Sequence, residues 1–137
     1  MVRGARYAFV ALAWAFVAGV VLQVFFIGLG LFGATDDFEL HVSLGWILHL
    51  FPLLILAAAA VARAGRRRIL LTTALAVTVF IVPILVLLRA DSPVAAALHP
   101  VSALLAFWLA IVVAREATSL LGEVAVEGAA AVPATDG

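Results

Sequence analysis

The nine residues H-V-S-L-G-W-I-L-H, from His41 to His49, set two histidines inside a run apolar enough to cross a membrane, and that placement decides how the chain is read. Imidazole in hydrocarbon is costly, and it is usually found turned toward a bundle interior, a wet cavity, a metal or a haem. His99, the third and last histidine, lies near the start of another apolar run. The surrounding composition agrees: 67% of the 137 residues are hydrophobic and 12% charged, against about 45–50% and about 25% in soluble domains. The chain therefore reads as an integral membrane protein. Its formal net charge is zero, so no basic field points to nucleic acid. The absence of cysteine removes disulfides, thiolate metal sites, iron–sulfur clusters and covalent c-type haem. All eight cationic residues are arginine, and with abundant Ala and Val this suggests a GC-rich bacterial genome.

Working outward, four spans are expected. Arg3 and Arg6 precede an apolar run over about 7–32 that contains Gln23; it is longer than the about 7–15 residues of a signal peptide's apolar region. Its end, G-L-G-L-F-G from Gly28 to Gly33, matches the dinucleotide fingerprint, yet the strand before it and the acidic residue about 20 positions on are missing. These glycines read as close helix packing followed by helix termination. Asp36 and Glu39 have the spacing of a capping box, so a second helix is expected over 37–62, kinked where Pro52 frees the carbonyl of Leu48. A third is expected over 69–88, with Thr72, Thr73 and Thr78 bonding back onto their own helix. A fourth is expected over 93–114, capped by Asp91 or Ser92 with Pro93 in the first helical position. Residues 117–137 read as a disordered cytoplasmic tail, entered through a short helical extension beyond Glu116. Arg63, Arg66, Arg67 and Arg68 anchor the loop between spans two and three, and with Arg3, Arg6 and Arg115 they place both termini in the cytoplasm. The predicted fold is an all-α, antiparallel up-down-up-down four-helix bundle.

Depth sorts the histidines. At 1.5 Å per residue, His41 lies roughly 6 Å from the start of its helix, His99 roughly 9 Å and His49 about 18 Å. His41 and His99 are thus level near the outer face, and His49 stands near mid-membrane. Gly45 falls on the stripe between His41 and His49 and leaves space beside it. Two imidazoles on facing helices with clearance for a flat ring are what a non-covalent b-type haem needs. His41 and His99 are then the axial ligands to the haem iron, Gly45 the clearance, and His49 a further ligand, a proton relay or a partner for Gln23. Polar packing remains open beside this: His99 bonding a neighbouring helix, and His49 bonding Gln23 or the Leu48 carbonyl. Gln23 and Ser102 are further polar candidates within the spans. Metal without haem lacks supporting carboxylate or thiolate ligands, and Ser43 and Ser102 lack a base–carboxylate partnership for hydrolysis.

Gln23, F-E-L-H with the following L-G over Phe38–Gly45, L-H-L at Leu48–Leu50 and L-H-P-V-S-A-L at Leu98–Leu104 together resemble a bacterial family of small four-span membrane proteins, a domain of unknown function. The resemblance covers roughly residues 5–115, with L-H-P as its most specific part. More distantly, the layout is similar to four-helix membrane b-type cytochromes and to the histidine-bearing bundles of haem-modifying enzymes, although three histidines cannot supply two ligand pairs. The resemblance implies a multi-pass protein of the bacterial inner (plasma) membrane. The resulting expectation is one haem b near the outer leaflet for electron transfer or redox sensing, alongside a membrane redox partner or an oligomer. The alternative is a non-enzymatic accessory or scaffold subunit whose histidines make interhelical hydrogen bonds.

Overall fold

A computed structural model of the chain describes residues 1–35 and 38–130, with side chains through residue 123. The described residues form helices and turns without a strand. They make α1 (Val2–Leu31), α2 (Glu39–Leu48), α3 (Phe51–Val61), α4 (Arg66–Leu87) with one 3-10 turn at Leu88–Ala90, α5 (Pro93–Ala96) and α6 (Leu98–Ala130). Four helical segments are long and apolar enough to cross a membrane: Val2–Leu31, Glu39–Val61, Arg66–Ala90 and Pro93–Glu123. In the bundle α1 packs on α2 and α3, α3 on α4, α4 on α6, and α6 back on α1, which closes a ring of sequence neighbours.

The helix ends follow local chemistry. After α1 the chain turns through Gly33 at φ +73°, with the Ala34 amide donating to the Leu29 carbonyl at 2.9 Å. That is the left-handed exit glycine permits at little cost. The expected packing role of Gly28 is not met, since a Cβ built there meets nothing within 4 Å. The second span is helical from Glu39, with Phe38 as its N-cap and no side-chain cap bond; Asp36 of the expected capping box and Asp37, the expected first residue, lie outside the described residues. Pro52 sits in the first turn of α3, where its missing N–H is tolerated, and the span breaks at His49–Leu50 into two helices instead of bending as one. Ser92 caps α5 by accepting from the Ala95 amide at 3.3 Å, with Pro93 opening the helix. Thr72, Thr73 and Thr78 donate to the carbonyls of Arg68, Ile69 and Ala74.

The last helix runs past the expected 114 and extends further than the short extension expected beyond Glu116, to Ala130; residues 131–137 lie outside the described residues. The cause is a clasp at the arginine end. The Arg68 guanidinium donates to the Glu116 carbonyl at 3.0 Å, Ser119 Oγ at 3.1 Å and Glu123 Oε2 at 3.2 Å, while Arg67 pairs with Glu116. Ala117 and Leu120 are buried beneath it, so the extension gains apolar burial as well as charge pairing. At the same end Arg6 donates to the Ala62 carbonyl at 3.3 Å.

Packing is uneven along the bundle. Phe9, Phe16, Ile55, Leu75 and Val113 are each under 2% exposed, and all lie toward the arginine end. No residue of the described segments 20–35, 38–47 and 80–105 is buried. Leu48, Val79 and Ala106 mark the boundary. The half of the bundle that carries the histidines is therefore not filled by its own side chains.

Candidate functional site: a histidine-lined cavity in the loosely packed half

Directly above that boundary lies a cavity of about 360 Å³, open to the surface, lined by His41, His49 and His99 together with Gln23, Gly45 and Arg89. Its walls are otherwise apolar, with Phe16 and Val20 from α1, Val79, Val82 and Pro83 from α4, and Ala103 and Ala106 from α6. Every span contributes, so the site belongs to the assembled bundle rather than to a local motif.

The His41 and His99 rings come together across the bundle, with centroids 6.5 Å apart and planes at 70°. Each ring is tied to the main chain of a neighbouring helix: His41 Nδ1 lies 3.1 Å from the Gln23 carbonyl on α1, and His99 Nδ1 lies 2.9 Å from the Val82 carbonyl on α4. A carbonyl only accepts, so Nδ1 must carry the proton in both rings, and the lone pair of the neutral ring is on Nε2. This is how a metal-binding imidazole is oriented, with one nitrogen anchored and the other left free.

His49 makes neither of the two hydrogen bonds expected of it. Its Nδ1 donates within its own helix to the Gly45 carbonyl at 2.6 Å, not to Gln23 and not to the Leu48 carbonyl. The ring packs against Trp46 at 5.7 Å and edge-on to Phe80 at 5.8 Å. Its Nε2 and Gln23 Oε1 are both buried without a hydrogen-bond partner. Although deeper in the chain, His49 thus shares one cavity with the other two histidines.

Gly45 also changes role. A Cβ built there would lie 2.8 Å from Gln23 Nε2, so the space spared by the glycine holds the Gln23 amide rather than an open slot for a flat ring. Gly45 still lines the cavity, as do the small side chains of Ala103 and Ala106. Ser102, the other intramembrane polar candidate, does not line the cavity. Arg89 does, and it is not among the site residues the sequence singled out. The available signal was its position, because it is the one arginine at the end of the bundle opposite the other seven.

The donor set bears on what can be held. Among the described residues no three His, Asp or Glu side chains gather where they could hold a metal ion, so a protein-only cage is not formed. Two trans imidazoles at a metal–nitrogen distance of ~2 Å have ring centroids ~6 Å apart, which fits the separation of His41 and His99. With Nδ1 of each ring committed to a backbone carbonyl, one nitrogen of each imidazole remains as a donor toward a bound group.

Residues 23–90 match the model of a family described as "Family of unknown function (DUF6220)". The match spans just under half of the chain. It begins at Gln23, takes in His41, Gly45, His49 and Arg89, and ends before His99. The L-H-P-V-S-A-L segment, read from sequence as the most specific part of the resemblance, therefore lies beyond the matched range. Comparison with curated proteins and with solved structures finds no match.

Proposed function

We propose that this chain is a multi-pass membrane protein that binds one b-type haem between His41 and His99 and serves one-electron transfer or redox sensing. The observation that carries the reading is the close pair of rings, 6.5 Å apart, each with Nδ1 committed to a backbone carbonyl and Nε2 left as the donor. The unfilled state of the surrounding half-bundle supports it, since natural interiors otherwise pack closely.

The residues divide the work. Nε2 of His41 and of His99 would hold the iron, and the Gln23 and Val82 carbonyls orient those rings and raise their basicity. The apolar side chains of Phe16, Val79 and Val82 keep water from the site and lower its local dielectric. A haem with both axial positions taken by protein supplies reversible one-electron chemistry rather than oxygen activation. The clustering of arginines at one end favours that end as cytoplasmic under the positive-inside rule. The cavity then faces the outer leaflet of a bacterial inner membrane, where a membrane-bound redox partner would meet it.

The visible spectrum of purified protein tests the proposal. A Soret band with split reduced α and β bands is expected, and it should be lost in His41→Ala and in His99→Ala. Colourless protein after expression with ample haem would refute it. The scaffold reading is favoured by the same interhelical bonds, and His41→Gln separates the two. The amide can still donate to the Gln23 carbonyl but cannot ligate iron, so stability is kept in both readings while pigment is lost only in the haem reading.

A further inference from the structure

The cavity carries one fixed charge, and nothing in the haem reading above uses it. Arg89 stands in the 3-10 turn that ends α4 and lines the cavity together with His41 and His99. No Asp or Glu is among the residues that line it. Three of the seven arginines at the packed end are engaged: Arg67 and Arg68 pair with Glu116 and Glu123, and Arg6 bonds the Ala62 carbonyl. Arg89 has no ion pair among the described residues, and it is exposed at the rim. A cation at the mouth of an apolar, imidazole-lined space selects an occupant with an apolar body and an anionic edge.

Resting on the haem assignment, we infer that Arg89 binds a carboxylate of the ligand that His41 and His99 hold, and so fixes which edge of that ligand faces the membrane surface. Iron protoporphyrin has both of its carboxylates on one edge. The guanidinium is a rigid fork of donors that meets a carboxylate through two parallel hydrogen bonds. In the low-dielectric rim of a membrane site that pairing is worth more than at a wet surface. It also orients the ligand, because the opposite edge of the macrocycle is apolar and matches the Phe16 and Val79 end of the cavity. A phosphate headgroup of the outer leaflet presents the same anionic oxygen chemistry, and the two sources are separated by experiment.

The test titrates ferric protoporphyrin, and separately its dimethyl ester, into haem-free full-length protein in neutral detergent micelles. Dissociation constants are read from the Soret band for the wild type and for Arg89→Gln. The wild type is expected to bind the ester about tenfold to a hundredfold more weakly than the free acid, the range of a hydrogen bond to a charged group. Arg89→Gln is expected to bind the free acid as weakly as the wild type binds the ester, with no further loss on esterification. Its Soret and reduced α/β positions should be unchanged, because axial ligation is intact. Equal ester penalties in the two proteins, or wild-type affinity of Arg89→Gln for the free acid, would overturn the inference and leave the arginine to lipid phosphate. A wild type that binds neither porphyrin would instead refute the haem assignment itself.

Discussion

Gly45 and Gln23 offer the sharpest measurement of how the site is built. Glycine inside a helix is destabilising by roughly 0.5–1 kcal/mol relative to alanine, so Gly45→Ala gains that amount if the new methyl meets nothing. It does meet something: the built Cβ lies 2.8 Å from Gln23 Nε2. Overpacking of this kind costs about 1–3 kcal/mol, toward the lower end here because the amide is the far end of a flexible side chain. The expected balance in the wild type is a net loss of about 0–2 kcal/mol. Gln23→Ala removes the obstacle, and in that background Gly45→Ala should stabilise by about 0.5–1 kcal/mol. The coupling between the two changes is therefore about 1–3 kcal/mol. Equilibrium unfolding of the four proteins in mixed detergent–SDS micelles reads it directly. If Gly45→Ala has the same effect in both backgrounds to within about 0.5 kcal/mol, the Gln23 amide does not occupy the glycine's space. Gln23→Ala should also keep its pigment, because His41 bonds the backbone carbonyl of that residue and not its side chain.

Two further outcomes follow from the arginine end. Arg68→Met should cost about 2–4 kcal/mol in the same unfolding assay and should lower helix content by circular dichroism as the segment after Glu116 loses its clasp; unchanged helicity would show that the extension is self-supporting. Reporter fusions should place both termini on the cytoplasmic side, and a C-terminus found outside would overturn either the span count or the charge argument.

The spans were legible because each is apolar over its whole length and bounded by glycine, proline or arginine, and Ser92 with Pro93 could be read as a helix start from residue chemistry alone. The level placement of His41 and His99 was likewise within reach of helix rise, since it needs only distance along two antiparallel helices. What could not be read were the contacts that depend on rotation between helices. Gly45 looked like room for a ring because sequence shows a missing side chain but not which neighbour fills the gap. His49 looked like a partner for Gln23, yet its own helix offered the nearest acceptor. The length of the helix beyond 114 was hidden because its support, Arg68, lies far away in sequence and was read only as a topological anchor. Arg89 was passed over for a similar reason, since a turn residue becomes part of a cavity only once the bundle closes around it.

The uneven burial along the bundle has a consequence for tolerance to change. The interlocked half, with Phe9, Phe16, Ile55, Leu75 and Val113 sealed inside it, acts as a pedestal, and the histidine half rises from it like an unfinished socket. Losses of packing in the pedestal are felt by the whole fold, whereas the socket has no sealed interior of its own to lose. Its lining can diverge while the scaffold beneath stays intact, which lets a chain of this length vary what it holds without renegotiating how it folds.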